Sequence, residues 1–174
     1  FGGTLAHGKV QGVLEQRLAD AAEGLNPVRA GLWASYWGTD GDNWFKTMYF
    51  ARAEQKLCYD WGDGKCDERV PENDFAIKWV GKIRIDREGT YRFKGWADDR
   101  MSLFLDGKKL MDHNQEQELV LTKGEHDFKM TFREYVAGAR VGLQWRYNNA
   151  GDFVEIPGNL FSYDPRQVEK YQKE

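Results

Sequence analysis

Hydrophobic and polar residues alternate along most of the chain after Gly31, in a series of short runs. In each run the apolar residues occupy one parity and the polar residues the other. The runs lie at 75–85, 91–93, 101–105, 119–121, 128–132 and 141–145. A period of two predicts a strand with one buried face, because successive side chains of a strand point to opposite sides. Glycine-containing turns separate the runs, and many short strands at this spacing indicate an antiparallel β-sandwich or barrel.

A different pattern precedes the strands. In residues 4–25 apolar residues recur at spacings of three and four. They are Leu5, Val10, Val13, Leu14, Leu18, Ala21 and Leu25. This spacing predicts an amphipathic helix that ends before Pro27. Its apolar stripe would pack on the β-domain, on a neighbouring domain or on a second copy of the chain.

The chain closes with a polar segment, 164–174, which predicts a short helix with Pro165 near its start. We therefore divide the chain into an N-terminal helical segment at 1–27, a β-domain at 28–163 and a C-terminal helix or tail at 164–174. The fold class we expect is mainly β, with a helix at each end.

Composition narrows the possible partners. With 174 residues, of which 14% are aromatic, the chain can form one domain with a sizeable core. A net charge of −3 without a basic run argues against a nucleic-acid partner. No apolar run approaches the roughly 18 residues of a membrane span, so we expect no membrane insertion. The chain begins at Phe1 without a signal-peptide pattern, and we interpret it as a segment of a longer protein.

Two cysteines, Cys58 and Cys66, flank a short stretch that contains Gly62 and Gly64. Such a stretch can fold back on itself, and we predict a disulfide between the two cysteines. It would stabilise the fold by about 2–3 kcal/mol and would imply an oxidising compartment. The alternative is two free thiols in a cytosolic protein. The residues near the cysteines do not supply the other ligands of a zinc site.

Six segments after Gly31 occur in an order typical of one family. They are Gly31-Leu-Trp, Asp74-Phe-Ala-Ile-Lys-Trp-Val-Gly81, Gly89-Thr-Tyr-Arg-Phe, Ala97-Asp-Asp-Arg-Met-Ser-Leu-Phe-Leu-Asp-Gly107, Lys123-Gly-Glu-His126 and Val141-Gly-Leu-Gln-Trp145. Together they resemble the PA14 domain, a β-sandwich named for a region of a bacterial toxin. The resemblance implies an antiparallel β-sandwich. It implies function less tightly, because PA14 domains occur in adhesins, glycosidases and toxins.

The resemblance also implies a calcium site. In the lectin-type members two consecutive Asp residues, joined by a cis peptide bond, hold Ca²⁺, and sugar hydroxyls complete the coordination. Asp98 and Asp99 match that pair. Further ligands come from the loop before the closing strand, where Glu134 offers a carboxylate and Val136 and Gly138 offer backbone carbonyls. With sugar hydroxyls or waters this set approaches the roughly 6–8 oxygens that Ca²⁺ prefers.

Three residues beside the Asp pair leave alternatives open. Trp96 and Tyr135 would flank a sugar site with their aromatic faces, or they are ordinary packing residues. Arg100 departs from the family pattern, which has a small residue after the Asp pair. It could form a bidentate salt bridge with Asp98 or Asp99, which would replace the calcium ion. Alternatively, it projects to the rim and contacts a sugar or an acidic partner.

We find no catalytic motif. The histidines, His7, His113 and His126, have no motif partner, and the sequence has neither a nucleophile elbow nor a phosphate loop. The acidic segments at 40–43 and 60–63 are interpreted as turns, because neither fits a twelve-residue calcium loop.

We therefore expect a non-enzymatic, calcium-dependent carbohydrate-binding module of a secreted or cell-surface protein. One alternative is a metal-free structural or protein-interaction module that docks onto other domains of its parent protein. Another is an accessory domain beside a glycoside hydrolase.

Overall fold

The computed structural model describes residues 13–15, 17 and 27–174 of the chain. The helix predicted at 4–25 is helical at 13–15 and 17, and the rest of it lies outside the described residues. In chain order the strands are β1 (Arg29–Ala30), β2 (Leu32–Asp40), β3 (Asn43–Glu54), β4 (Tyr59–Gly62), β5 (Phe75–Ile85), β6 (Gly89–Asp98), β7 (Arg100–Leu105), β8 (Lys108–Asp112), β9 (Gln115–Leu121), β10 (Gly124–Glu134), β11 (Ala139–Tyr147), β12 (Val154–Glu155) and β13 (Phe161–Tyr163).

The strands form two antiparallel sheets, and the predicted β-sandwich is confirmed. The larger sheet follows the order β1-β13-β5-β10-β7-β8, with β2 also on β5 and β3 on β2. The smaller sheet follows the order β12-β11-β6-β9, with β4 also on β11. The chain passes from the smaller to the larger sheet between β6 and β7, so this connection crosses one end of the sandwich.

The core lies between the sheets and uses the predicted alternation. In β5 and β10 the residues Phe75, Ile77, Trp79, Met130 and Phe132 are fully buried. Aromatic rings join the two layers, since the Trp61 ring of the smaller sheet lies 6.0 Å from that of Phe132 in the larger sheet. Burying a side chain of the size of Phe or Ile contributes about 1.5–3 kcal/mol, so these two strands contribute substantially to the stability of the domain.

A buried carboxylate, Glu54, also joins strands of the two sheets. The Tyr36 and Tyr59 hydroxyls donate to it at 2.5 and 2.6 Å, and the Trp79 indole donates at 3.1 Å. The Arg52 guanidinium donates at 2.9 Å. Burial and the Glu54 charge raise the pKa values of Tyr36 and Tyr59, so both hydroxyls stay protonated and can donate.

The predicted disulfide is wrong, because Cys58 and Cys66 are free thiols in the structure. The Cys58 sulfur lies 3.5 Å from the carbonyl oxygen of Leu143 in β11. Cys66 packs against the hydrophobic core, and burial raises the pKa of its thiol to about 12. The two sulfurs therefore contact different parts of the fold and do not pair, although few residues separate them in the chain.

The C-terminal helix is confirmed as a 3-10 turn, Pro165–Gln167, followed by α1 (Val168–Lys173). Tyr171 is buried, and the carbonyl oxygen of Gln172 accepts a hydrogen bond from the buried Lys78 ammonium at 3.0 Å. The helix therefore covers part of the outer face of the larger sheet. Across the described residues we find no helix that is both long and apolar enough to cross a membrane.

Candidate functional site

The Asp98-Asp99 pair lies where the chain crosses between the sheets. Asp98 is the last residue of β6, and Arg100 is the first residue of β7. The peptide bond between Asp98 and Asp99 is cis, as the resemblance implies. Both side chains are partly exposed. The two carboxylates thus stand at one open end of the sandwich, where a ligand from solvent can reach them.

Glu134 supplies a third carboxylate at this end. It is the last residue of β10 and has the inward parity of Met130 and Phe132, which makes it fully buried. In the part of the chain that the structure describes, neither of its carboxylate oxygens has a hydrogen-bond partner. Native proteins rarely leave a buried polar group in this state, because its desolvation is not compensated.

The electrostatics of Glu134 follow from the same surroundings. Burial, and then the charges of Asp99 and Asp98, raise the pKa of Glu134 to about 8, while the Arg133 cation opposes this effect. The two Asp carboxylates therefore lie close enough to Glu134 to disfavour its ionisation. A cation among the three carboxylates would reverse that effect by favouring the charged form of Glu134.

The loop after Glu134 is tied to the Asp pair and to the segment that precedes β5. The backbone N–H of Tyr135 donates to the Asp99 carboxylate at 2.6 Å. The N–H of Ala137 donates to the side-chain oxygen of Asn73 at 3.0 Å. The side chain of Val136 is 63% exposed, so only its backbone can serve an inward site. The loop thus brings the predicted carbonyl donors to the same end as Asp99.

Sequence reasoning missed several polar residues at this end. Asn73 and Asp74 lie directly before β5, whose first residue pairs with Glu134. The carboxylate of Asp63 lies near Gly138, since a Cβ at Gly138 would be 3.5 Å from it. The polar run before an apolar strand was the signal for Asn73 and Asp74. Asp63 directly follows β4, which reaches this end because it pairs with β11. The alternation pattern does not predict that pairing.

The side chains do not make a complete metal site by themselves. In residues 13–15, 17 and 27–174, no three His, Cys, Asp or Glu side chains converge as a metal-binding group. A calcium ion held by Asp98, Asp99 and Glu134 would therefore need backbone carbonyls and ligand or water oxygens as well, or a small approach of the side chains. The oxygen-rich donor set fits Ca²⁺, which accepts 6–8 oxygens in variable geometry.

Arg100 does not neutralise the Asp pair. Its parity places it on the outer face of the larger sheet, opposite Arg133 of β10. Its guanidinium lies 5.6 Å from the centre of the Tyr135 ring. Among the described residues it forms no ion pair with Asp98 or Asp99. The partner of the two carboxylates is therefore not this guanidinium.

Arg133 is the cation that anchors the loop, and sequence reasoning missed it. Its side chain is 2% exposed and pairs with the Asp74 carboxylate at 3.2 Å. It also donates to the carbonyl oxygen of Glu134 and lies 4.2 Å from the centre of the Tyr135 ring. Because Arg133 fixes both ends of the Glu134-Tyr135 segment, it holds the third carboxylate in place.

Trp96 lies on the outer face of the smaller sheet, two residues before Asp98. Its ring covers Gly142 in the neighbouring strand, where a Cβ would come within 2.0 Å of the ring. The ring is partly exposed and lies flat on its own sheet. The packing alternative therefore holds for the contact with Gly142, and the rest of the side chain is partly accessible to solvent.

Comparison with known proteins identifies the class. The model of the PA14 domain family matches residues 29–154, and the chain belongs to this family. The anti-sigma-I factor RsgI3 of Acetivibrio thermocellus is similar, at 27% identity over 128 residues, which covers 69% of this chain and 19% of that protein. This chain thus spans about a fifth of the length of that relative.

Solved structures show the same fold. An anti-sigma factor domain-containing protein superposes with a TM-score of 0.68 at 26% identity, covering 76% of this chain and 47% of that one. The epithelial adhesin 9 A domain from Candida glabrata, solved in complex with Galβ1-4GlcNAc, superposes with a TM-score of 0.65 at 12% identity. That match covers 79% of this chain and 91% of the adhesin domain, and at this identity it shows the fold alone.

Proposed function

We propose that this domain binds carbohydrate through a Ca²⁺ ion held by Asp98, Asp99 and Glu134. The observation that carries the proposal is Glu134, a fully buried carboxylate with both oxygens unpartnered beside the cis Asp98-Asp99 pair. A divalent cation would favour the ionised form of Glu134 and compensate its charge. When bound, the ion would orient two neighbouring hydroxyls of a sugar, and the carbonyls of Val136 and Gly138 would add oxygens.

The surroundings suit a binding site with modest affinity. The carboxylates stand at an open end of the sandwich, and the exposed part of Trp96 and the ring of Tyr135 offer apolar contact to a sugar. We infer a lectin-like role without catalysis, in which several copies or repeated ligands supply avidity. A sugar-bound adhesin domain of the same fold supports carbohydrate as the ligand class and an extracellular or surface location.

A second candidate concerns the parent protein. The similarity to anti-sigma factors, at 26–27% identity, favours a chain in which this domain is the ligand-binding part of such a regulator. Sugar occupancy of the domain would then act on the remainder of the protein. This candidate uses the same calcium site, so the test below applies to both.

Calorimetric titration of Ca²⁺ into the chelator-treated protein tests the site. We expect saturable binding, and we expect the Asp98→Asn/Asp99→Asn double variant to abolish it because two charged ligands are lost. Glu134→Gln should weaken the affinity at least about tenfold, equivalent to about 1.4 kcal/mol. The matched control is Asp152→Asn, an exposed carboxylate outside the site, which should bind Ca²⁺ like the unmodified protein.

Two outcomes would count against the site. The absence of binding at millimolar Ca²⁺ would reject the calcium-dependent function and favour a metal-free interaction module. Binding that survives in the double variant would place the ion elsewhere. Sugar binding is then measured on a glycan panel with Ca²⁺ and with chelator, and binding that persists in chelator would contradict the role of the ion.

A further inference from the structure

A pocket of about 510 Å³ adjoins the candidate calcium site on the outer face of the larger sheet. Strands β7 and β8 form its floor, and Trp44, near the start of β3, forms one wall. Arg100 lines the pocket as well, and Arg100 directly follows Asp99 in the chain. The pocket and the calcium site are therefore neighbours at the same end of the sandwich.

The charges in this pocket leave one cation without a counterion. Lys109 pairs with Asp112 at 2.7 Å, and the Ser102 hydroxyl donates to the same carboxylate at 2.6 Å. These two hydrogen bonds lower the pKa of Asp112, so the Lys109–Asp112 pair is satisfied internally. Among the described residues Arg100 has no carboxylate partner. A ligand that enters the pocket thus meets a net positive charge from Arg100.

The guanidinium of Arg100 lies near the loop of the candidate site. Its guanidinium lies over the Tyr135 ring, and the backbone N–H of Tyr135 is bonded to the Asp99 carboxylate. The guanidinium group is planar and rigid, so an Arg side chain loses less conformational freedom for each hydrogen bond that it forms. The fork of donors on an Arg side chain also matches the two oxygens of a carboxylate. The geometry therefore favours a planar anionic group beside the calcium site.

We propose that this pocket is a second subsite for the carboxylate of a uronic-acid residue, linked to the sugar residue that the calcium ion holds. Arg100 binds the carboxylate, and Trp44 offers an aromatic face to the sugar ring. The inference rests on the proposed calcium-dependent function and specifies its ligand class as acidic glycans. It also gives a role to the Arg residue that departs from the family pattern.

The test compares trisaccharides of galacturonic or glucuronic acid with their methyl esters, at constant Ca²⁺ and low salt. The ester keeps the sugar and removes the negative charge. We expect at least one acid to bind about tenfold or more tightly than its ester, and the preference to shrink as salt screens the charges. Arg100→Gln should remove the preference. The control Lys108→Gln changes an exposed cation of β8 that does not line the pocket, and it should retain the preference.

The outcomes separate this inference from the function on which it rests. If Ca²⁺ binds but acids and esters bind equally or not at all, the uronate subsite is wrong and the calcium site stands. The subsite is also wrong if Arg100→Gln retains the preference. If Ca²⁺ does not bind the unmodified protein, the proposed function fails first. As a control, Ca²⁺ is titrated into the Arg100→Gln variant. We expect this variant to bind Ca²⁺ saturably, because Arg100 is not an ion ligand.

Discussion

Glu54 shows how a single buried carboxylate can hold several strands together. It accepts hydrogen bonds from Tyr36 of β2, Tyr59 of β4 and Trp79 of β5. Hydrogen bonds to a charged group in a buried network are stronger than exposed ones, and their loss leaves the donors unsatisfied. Glu54 therefore stabilises the sandwich and is not part of the candidate site.

We predict that Glu54→Gln lowers the free energy of unfolding by about 2–3 kcal/mol, because an amide cannot accept from all of these donors. Urea denaturation monitored by tryptophan fluorescence measures the change. The control is Glu88→Gln, an exposed turn residue, for which we expect a change within about 0.5 kcal/mol. An equal effect of the two substitutions would show that the network does not stabilise the fold.

At the residue scale the sequence predicts some features and hides others. Asp98, Asp99 and Glu134 could be proposed from their positions in a family pattern. The buried roles of Glu54 and Arg133 could not, because a charged residue in an alternating strand looks like an exposed one. The cysteines mislead for a related reason, since closeness in sequence does not determine where a sulfur points.

At the scale of elements, alternation predicts the strands of the core well. The runs at 75–85 and 128–132 became β5 and β10, since burial of one face enforces a period of two. The loops at the site were not predictable in this way. Asp63 and Asn73 reach it through the pairing of β4 with β11 and of β5 with β10, which depends on contacts between distant segments.

One such contact joins the turn between β7 and β8 to the connection between β9 and β10. The ring nitrogens of His126 lie 2.7 Å from the Asp106 carboxylate and 2.8 Å from the Thr122 carbonyl oxygen. Burial lowers the pKa of His126, but the hydrogen bonds with Asp106 and Thr122 outweigh burial, so the pKa is raised overall. The protonated ring can donate to both acceptors and thereby ties the turns together.

The pH dependence of stability follows from this raised pKa. A histidine with a raised pKa in the folded state stabilises the fold fully below its unfolded pKa of about 6.5, and the contribution disappears as the pH rises through the folded pKa. We predict that the stability lost in His126→Gln is larger at about pH 5 than at about pH 9. Denaturation curves at both pH values test this. In an Asp106→Asn background the pH effect should be smaller, and an unchanged effect would assign it to another group.

At the scale of the whole molecule, the candidate site connects the ends of the two sheets. Asp98 belongs to the smaller sheet and Glu134 to the larger one, so a bound ion would link them at one end. A ligand that binds only the folded state stabilises it by about 2.7 kcal/mol at a concentration 100 times its dissociation constant. For a domain of this size that corresponds to a rise in Tm of about 5–10 °C.

We predict that calorimetric scans show this rise with Ca²⁺, a smaller one with Mg²⁺ at the same concentration, and none in the Asp98→Asn/Asp99→Asn variant. Glu134→Gln sharpens the test at about pH 9, because above its pKa of about 8 the Glu134 carboxylate is a buried charge that lacks partners in the ion-free protein. The variant should therefore unfold at a higher temperature than the unmodified protein in chelator and at a lower temperature in saturating Ca²⁺. A destabilised variant under both conditions would mean that Glu134 serves the fold alone, and an equal response to both cations would argue against a calcium-specific site.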